Sequence, residues 1–283
     1  AEQGVALSFL TEHGRFLARL IGPVSGNVLL RREQYRMADD LTACIKTASW
    51  LVTGKIANCR TVLRRALRDH GASVDSDGLT QAINTLTGCL RRLGTCQDLD
   101  QVRGIEGEAA HVYFSCFNEL VLEQKEAFCI SGRNRRPPRD NMNALLSFLY
   151  TLLRHDVQSA LETVGLDPAV GFLHSVRPGR PSLALDLMEE LRPYLADRLA
   201  LSLVNRKQVT EKGFRKAESG GIFMDKDTRK TVLTAWQKRK QETIRHPYLD
   251  EKVEIGLLPY VQALLFARYL RGDIEGYPPF FWN

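Results

Sequence analysis

The sequence predicts a mainly α-helical protein: a large helical domain preceded by the end of a small N-terminal β-domain. Two observations carry this. From about Gln34 onward, apolar residues recur at three- and four-residue steps, the period of a helix with one buried face. Before that point lie two short β-type runs, Val5 to Leu10 and Phe16 to Ile21, separated by the turn-like stretch Thr11-Glu12-His13-Gly14-Arg15. A lone hairpin is marginal in water, so these strands need partners, and the sequence places them upstream of a chain that opens on Ala1. The reading divides the chain into residues 1–30, the β remnant with its linker, and 31–283, the helical domain.

The helices follow in order. Leu41, Ile45, Ala48, Val52, Ile56, Cys59, Leu63 and Leu67 mark the first, ending near His70-Gly71, with Asp39 and Asp40 suited to its first turn. Gly71 to Gly78 is a polar loop. A second helix carries Leu79, Ile83, Leu86, Leu90 and Leu93, and a third spans about Leu99 to Leu120. Gln124 to Asp140 is a basic loop stiffened by Pro137 and Pro138. A fourth helix is expected over Asn141 to Val164, and a fifth from Pro181 to about Val204 in spite of Pro193. Val209 to Met224 reads as a small hairpin. Two more helices, about Asp227 to Ile244 and Leu257 to Leu270, precede an apolar tail that two prolines, Pro278 and Pro279, keep from being helical.

Composition narrows the class. Of 283 residues, 44% are hydrophobic and 25% charged, the balance of a globular protein. A net charge of +6, much of it arginine, favours a polyanionic partner. The six cysteines form no CxxC pair, which speaks for free thiols in a reducing cytoplasm and against a disulfide frame or zinc site. No apolar run is long enough to span a membrane, and no GxSxG, HExxH, P-loop or GxGxxG motif occurs.

Three segments carry the chemistry. On the third helix Val102, Glu106, Ala109, Tyr113, Phe117 and Leu120 share a stripe, which puts the Glu106 carboxylate on an apolar face. Such a group must be ion-paired, protonated or bound to a cation; Arg103 or another arginine is the ordinary partner. Gly104, Gly107, Ala109 and Ala110 would let another backbone or a ligand approach. His174 follows Gly171-Phe172-Leu173 and precedes a stiff basic loop with Arg177 and Arg180; it is either a hydrogen-bonded core histidine or a ligand. Asp186 and Glu189 lie three apart, with Glu190 one further on, and acids so clustered repel unless a cation separates them. Carboxylates with one imidazole suit Mn²⁺ or Mg²⁺ better than zinc. Arg133, Arg135, Arg136, Asn143 and Tyr150 form a separate candidate surface for nucleic-acid backbone. A non-catalytic helical nucleic-acid scaffold explains the arginines but not Glu106; a phosphohydrolase of small substrates would lack its usual His-Asp pairs.

Gly104-Ile105-Glu106-Gly107, the GRxRRPPxDxxN pattern through Asn143, Gly171-Phe172-Leu173-His174 and Asp186-Leu187-Met188-Glu189 together resemble, in order and separation, the CRISPR-associated integrase and endonuclease family Cas1. The tail, from Ile255-Gly256-Leu257-Leu258-Pro259-Tyr260 through Tyr277-Pro278-Pro279-Phe280, looks like the subtype I-C branch. The resemblance covers essentially the whole chain. It implies an N-terminal β-domain, of which this chain keeps the end, joined to a helical catalytic domain. It also implies metal ligands at Glu106, His174 and Glu189, with Asp186 as a further acid. The family usually has Asp at the third ligand position, which leaves Asp186 and Glu189 as alternatives there. A homodimer, a Cas2 dimer, a Cas4 nuclease and DNA are the implied partners. The implied reaction is divalent-metal-dependent joining of prespacer 3′-hydroxyls to repeat DNA, with nuclease activity when water replaces the hydroxyl.

Overall fold

Helical structure begins earlier than the apolar period indicates. The computed structural model describes residues 7–10, 16–20, 28–134, 136–218 and 220–282. In it α1 runs from Val28 to Asp39, so a division at residue 30 falls inside a helix. Val28 and Leu29 are about two-thirds exposed and add nothing to an inward stripe; Leu30 and Gln34 are what α1 buries. Ahead of it, β1 (Leu7–Leu10) and β2 (Phe16–Leu20) pair antiparallel, Leu7 opposite Leu20, with a bulge between Phe9 and Leu10.

Asp40 separates α1 from α2 (Leu41–His70) by capping the latter, its carboxylate accepting from the backbone N–H of Thr42 and Ala43. The same device starts α3 (Ser76–Leu93) at Asp75, α4 (Leu99–Ser115) at Asp98, α6 (Asn141–Val164) at Asp140 and α9 (Lys226–Gln241) at Asp225. A 3₁₀ turn, Phe117–Leu120, continues the α4 stripe past the end of the helix. Within the basic loop, Lys125–Phe128 forms the short helix α5.

The segment read as one helix from Pro181 to Val204 is three pieces: α7 (Ser182–Met188), a π-helical stretch Arg192–Asp197 and α8 (Arg198–Asn205). Pro193 is the reason: it has no N–H to give the carbonyl one turn back, and the wider π turn absorbs the break. The expected hairpin is β3 (Phe214–Lys216) with β4 (Ile222–Met224). A second hairpin that the sequence did not announce, β5 (Thr243–Arg245) with β6 (Lys252–Glu254), precedes α10 (Leu258–Leu270).

α2 lies along the middle. It packs on α3, α4 and the π-helical stretch, while α6 packs on α10 and α7. Leu51, Leu63, Leu86, Tyr113, Leu145 and Phe266 are fully or almost fully buried in the joint core, each such side chain stabilising the fold by roughly 1.5–3 kcal/mol. Two polar residues fix the parts that lead to the site. Gln34 donates to the carbonyls of Asp167 and Val170 and accepts from Asp167 N–H, tying α1 to the approach to His174. Asn58, fully buried on α2, donates to the carbonyls of Glu190 and Phe280 and accepts from Trp282 N–H. Among the described residues, no helix is long and apolar enough to cross a membrane.

Candidate functional site

α4 and the turn after α7 meet at Lys55 of α2, and α4 also holds the segment 171–174 through Arg103. His174 is oriented by Asp186. This fully buried carboxylate takes backbone N–H groups from Phe172, Leu173 and His174 at 2.6, 3.0 and 2.9 Å, and the His174 ring through Nδ1 at 2.6 Å. A carboxylate in that position accepts, so the ring proton sits on Nδ1 and the Nε2 lone pair is left for a ligand. Such dense bonding needs a glycine at position 171: a Cβ there would lie 2.5 Å from Asp186 Oδ2 and 2.7 Å from the Ser182 carbonyl carbon. Arg103 holds the segment from the other side, its Nε and Nη2 donating to Leu173 O at 3.0 and 2.9 Å.

Glu106 is therefore not paired with Arg103. Its partner is Lys55, which bonds Glu106 Oε1 and lies 2.7 Å from Glu189 Oε2. Sequence reading passed over Lys55, although it interrupts the buried face of α2 between Leu51 and Cys59 just as Glu106 interrupts that of α4. Glu189 also takes Arg192 Nη1 on Oε1 at 2.7 Å. Burial opposes its charge, yet Arg192 and then Lys55 hold its carboxyl well below the ordinary range. For Lys55 burial works against the ammonium, and Glu189 and Glu106 more than offset it.

Of the small residues beside Glu106, Ala109 packs into the core, while among the described residues none comes close to Gly104 or Gly107. A Cβ on Gly104 or Gly107 would meet nothing within 4 Å, so this edge of α4 is open. Glu190 turns away from the acids it was grouped with. It accepts from Tyr277 and Gln262 on one oxygen and from Phe280 N–H on the other, and burial pushes its carboxyl up to about 7.

The basic loop joins the site through a ring. Arg133 and Arg192 each sit over Tyr150, with Cζ 5.0 and 4.8 Å from the ring centre, and the Tyr150 hydroxyl donates to Asp197 at 2.6 Å. Asn143 is fully buried and holds Arg133, Asp140 and Gly132 O. Asn143 and Tyr150 thus position the loop instead of facing a ligand. Arg136 and Arg177 are exposed and Arg180 is half-buried; Arg135 lies outside the described residues.

Does this donor set fit a divalent cation? Asp186 is consumed by its four hydrogen bonds, so Glu106, Glu189 and the free Nε2 of His174 are the available donors. Glu189 Oε2 is buried and faces the Lys55 ammonium without a hydrogen bond of good geometry. The ammonium stands between two carboxylates as a cation would. Among the described residues no three acidic, histidine or cysteine side chains meet at a single point, and Lys55 takes up the place where Glu106 and Glu189 approach. Hard oxygen donors with one imidazole fit Mn²⁺ or Mg²⁺ once that ammonium is displaced.

Residues 1–238 match the family model described as CRISPR associated protein Cas1. The chain is 56% identical over its whole length to "CRISPR-associated endonuclease Cas1 1" of Chlorobaculum tepidum, covering 82% of that protein. It is 35% identical to a "CRISPR-associated exonuclease Cas4/endonuclease Cas1 fusion" of Geobacter sulfurreducens, 98% of this chain aligning with 49% of the fusion. In fold it is similar to a casposase bound to integration product (TM-score 0.85, 23% identity, 100% of this chain and 76% of that one). It is similar also to a chain of a Cas6-RT-Cas1–Cas2 complex (TM-score 0.79, 24% identity, 99% and 30%).

Proposed function

Because the chain belongs to the CRISPR-associated Cas1 family, we propose that it is a divalent-metal-dependent DNA integrase and endonuclease of spacer acquisition. The observation that carries the reading is that two carboxylates, Glu106 and Glu189, share the Lys55 ammonium, while a separate buried carboxylate, Asp186, fixes the ring of His174. Glu106, Glu189 and His174 Nε2 would hold Mn²⁺ or Mg²⁺. Bound there, the ion supplies Lewis-acid polarisation of a phosphoryl oxygen.

The chain's own residues do the rest. Asp186 fixes the His174 tautomer and Arg103 fixes the backbone that carries it. Arg192 keeps Glu189 ionised inside the core. Arg133, anchored by Asn143 and Tyr150, offers a positioned guanidinium for a phosphate, with Arg135, Arg136, Arg177 and Arg180 as further contacts. In the reaction a prespacer 3′-oxygen bonds to a repeat phosphorus while that phosphorus releases the repeat's own 3′-oxygen, which leaves as a hydroxyl. Water in place of the incoming hydroxyl gives strand cleavage.

The reading extends to a wider assembly, a homodimer with a Cas2 dimer and a Cas4 nuclease beside it, acting in the cytoplasm on prespacer and repeat DNA; the Cas1–Cas2 complex and the Cas4/Cas1 fusion among the similar proteins support the Cas2 and Cas4 partners. The test is strand transfer into a repeat-bearing plasmid with the Cas2 partner. Glu106→Ala is expected to abolish joining, and excess chelator to do the same to the unaltered chain, while DNA binding persists. Normal joining by the variant, or joining in chelator, overturns the site.

A further inference from the structure

A second cluster of chemistry lies apart from the acids. Lys55 and Arg65 stand ten residues apart on α2, about 15 Å along its axis. There Arg65 and Arg198 both sit over Trp282, with Cζ 4.2 and 4.1 Å from the ring centre. Arg198 also faces Tyr194 at 5.5 Å, and Arg239 covers the same Tyr194 at 5.1 Å. Three guanidinium groups and two rings thus form one cluster, the rings themselves 5.3 Å apart.

We propose that this cluster is a phosphate-binding site, with Arg198 as its central donor and the cleft between α2, α8 and residue 282 as the place the phosphate enters. Arg239 is taken up by Glu242 at 2.5 Å. Arg198 makes no hydrogen bond or ion pair among the described residues; its contacts are the two ring faces. The rings strip water from the guanidinium and supply no acceptor for its N–H donors. Burial, then the neighbouring Arg239, weaken its charged form, lowering its pKa to about 10, a cost that a bound anion relieves. Arg65, Arg198, Ser202 and Trp282 line a cleft of 240 Å³. Of the two acids on its rim, Asp69 bonds Arg68 and also lies near Arg65 and His70, and Glu119 takes the backbone N–H of Asp75.

A phosphomonoester fits better than a carboxylate. It carries nearly two charges and three terminal oxygens, more than a carboxylate offers to the fork of Arg198. Its source is either free phosphate, as in a nucleotide, or the 5′ end of a DNA strand.

Calorimetric titration of the full chain with inorganic phosphate tests the site. The unaltered protein is expected to bind, and Arg198→Gln to weaken binding about 10- to 100-fold. Arg198→Lys keeps the charge without the fork and should fall between them. Melting curves on each variant, and Trp282→Phe as an independent change on the other side of the cluster, separate lost binding from lost folding. Glu106→Ala should bind phosphate as the unaltered chain does. Absence of binding, equal binding by Arg198→Gln, or loss of binding in Glu106→Ala overturns the proposal. A short oligonucleotide with and without a 5′-phosphate then names the source. An Arg198-dependent gain from the phosphate assigns a strand end, and no gain assigns the free anion.

Discussion

Glu189 and Glu190 are neighbours in sequence, equally buried, and opposite in chemistry. Glu189 faces Lys55 and Arg192 and stays ionised far below the usual carboxylate range. Glu190 faces Tyr277, Gln262 and a backbone N–H, all neutral, and burial raises it to about 7. One turn of chain thus serves two regions: a charged one that can receive a cation, and a neutral one that ties residues 277–280 to the core. What separates them is the partner set and not the degree of burial.

The comparison breaks most sharply at Glu189. Glu189→Gln should reduce strand transfer at least about 1,000-fold, roughly 4 kcal/mol of activation free energy, while Glu190→Gln leaves metal-dependent joining within a few-fold. Equal losses in the two variants would erase the distinction. Next comes Lys55→Met. In chelator it leaves Glu106 and Glu189 short of a counter-charge and should destabilise the fold by about 3 kcal/mol. Added Mn²⁺ should restore part of the melting temperature, which a purely structural lysine would not allow.

The pH dependence of stability supplies a smaller effect of opposite sign in the two residues. Glu189 is depressed from 4.5 to about 2, so its contribution is complete above 4.5 and is lost as pH falls through 2. Glu190 is raised from 4.5 to about 7, so the folded state binds the extra proton, and stability declines as pH rises from 4.5 to 7. The unfolding free energy from urea titrations should fall by about 2 kcal/mol between pH 5 and 8 in the unaltered chain, and Glu190→Gln should flatten that slope. The smallest effect is expected at Asp186→Asn: about 10- to 100-fold in metal affinity, from a mis-set His174 tautomer, with Glu106 and Glu189 intact. Calorimetry with Mn²⁺ measures it.

Much of the fold is legible in the sequence because one-sided burial leaves a period. α2, α3, α6 and α10 stand within a few residues of where their apolar spacing puts them. α1 does not, since Val28 and Leu29 face outward and supply no inward stripe. The β5–β6 hairpin escapes because its strands are three residues long and its turn, unlike that of β3–β4 with Gly220 and Gly221, holds no glycine. In the site, Glu106 and His174 stand out as polar groups in apolar runs. Spacing could not show how differently Asp186 and Glu189 are bonded, because the donors to Asp186 come from a segment twelve to fourteen residues away. Lys55 and Arg192 were readable in principle: a cation on the buried face of α2, and a basic residue one turn after Glu189.

Asn58 has a consequence for synthesis. Its side chain reaches Phe280 and Trp282 across 222 and 224 positions of sequence. While the ribosome is making the chain, a core amide of α2 and the Glu190 carboxyl remain without their last acceptors and donors until residues 277–282 emerge. The turn that carries Glu189 and Glu190 therefore has unmet hydrogen-bonding groups beside it until residues 277–282 have been made and docked.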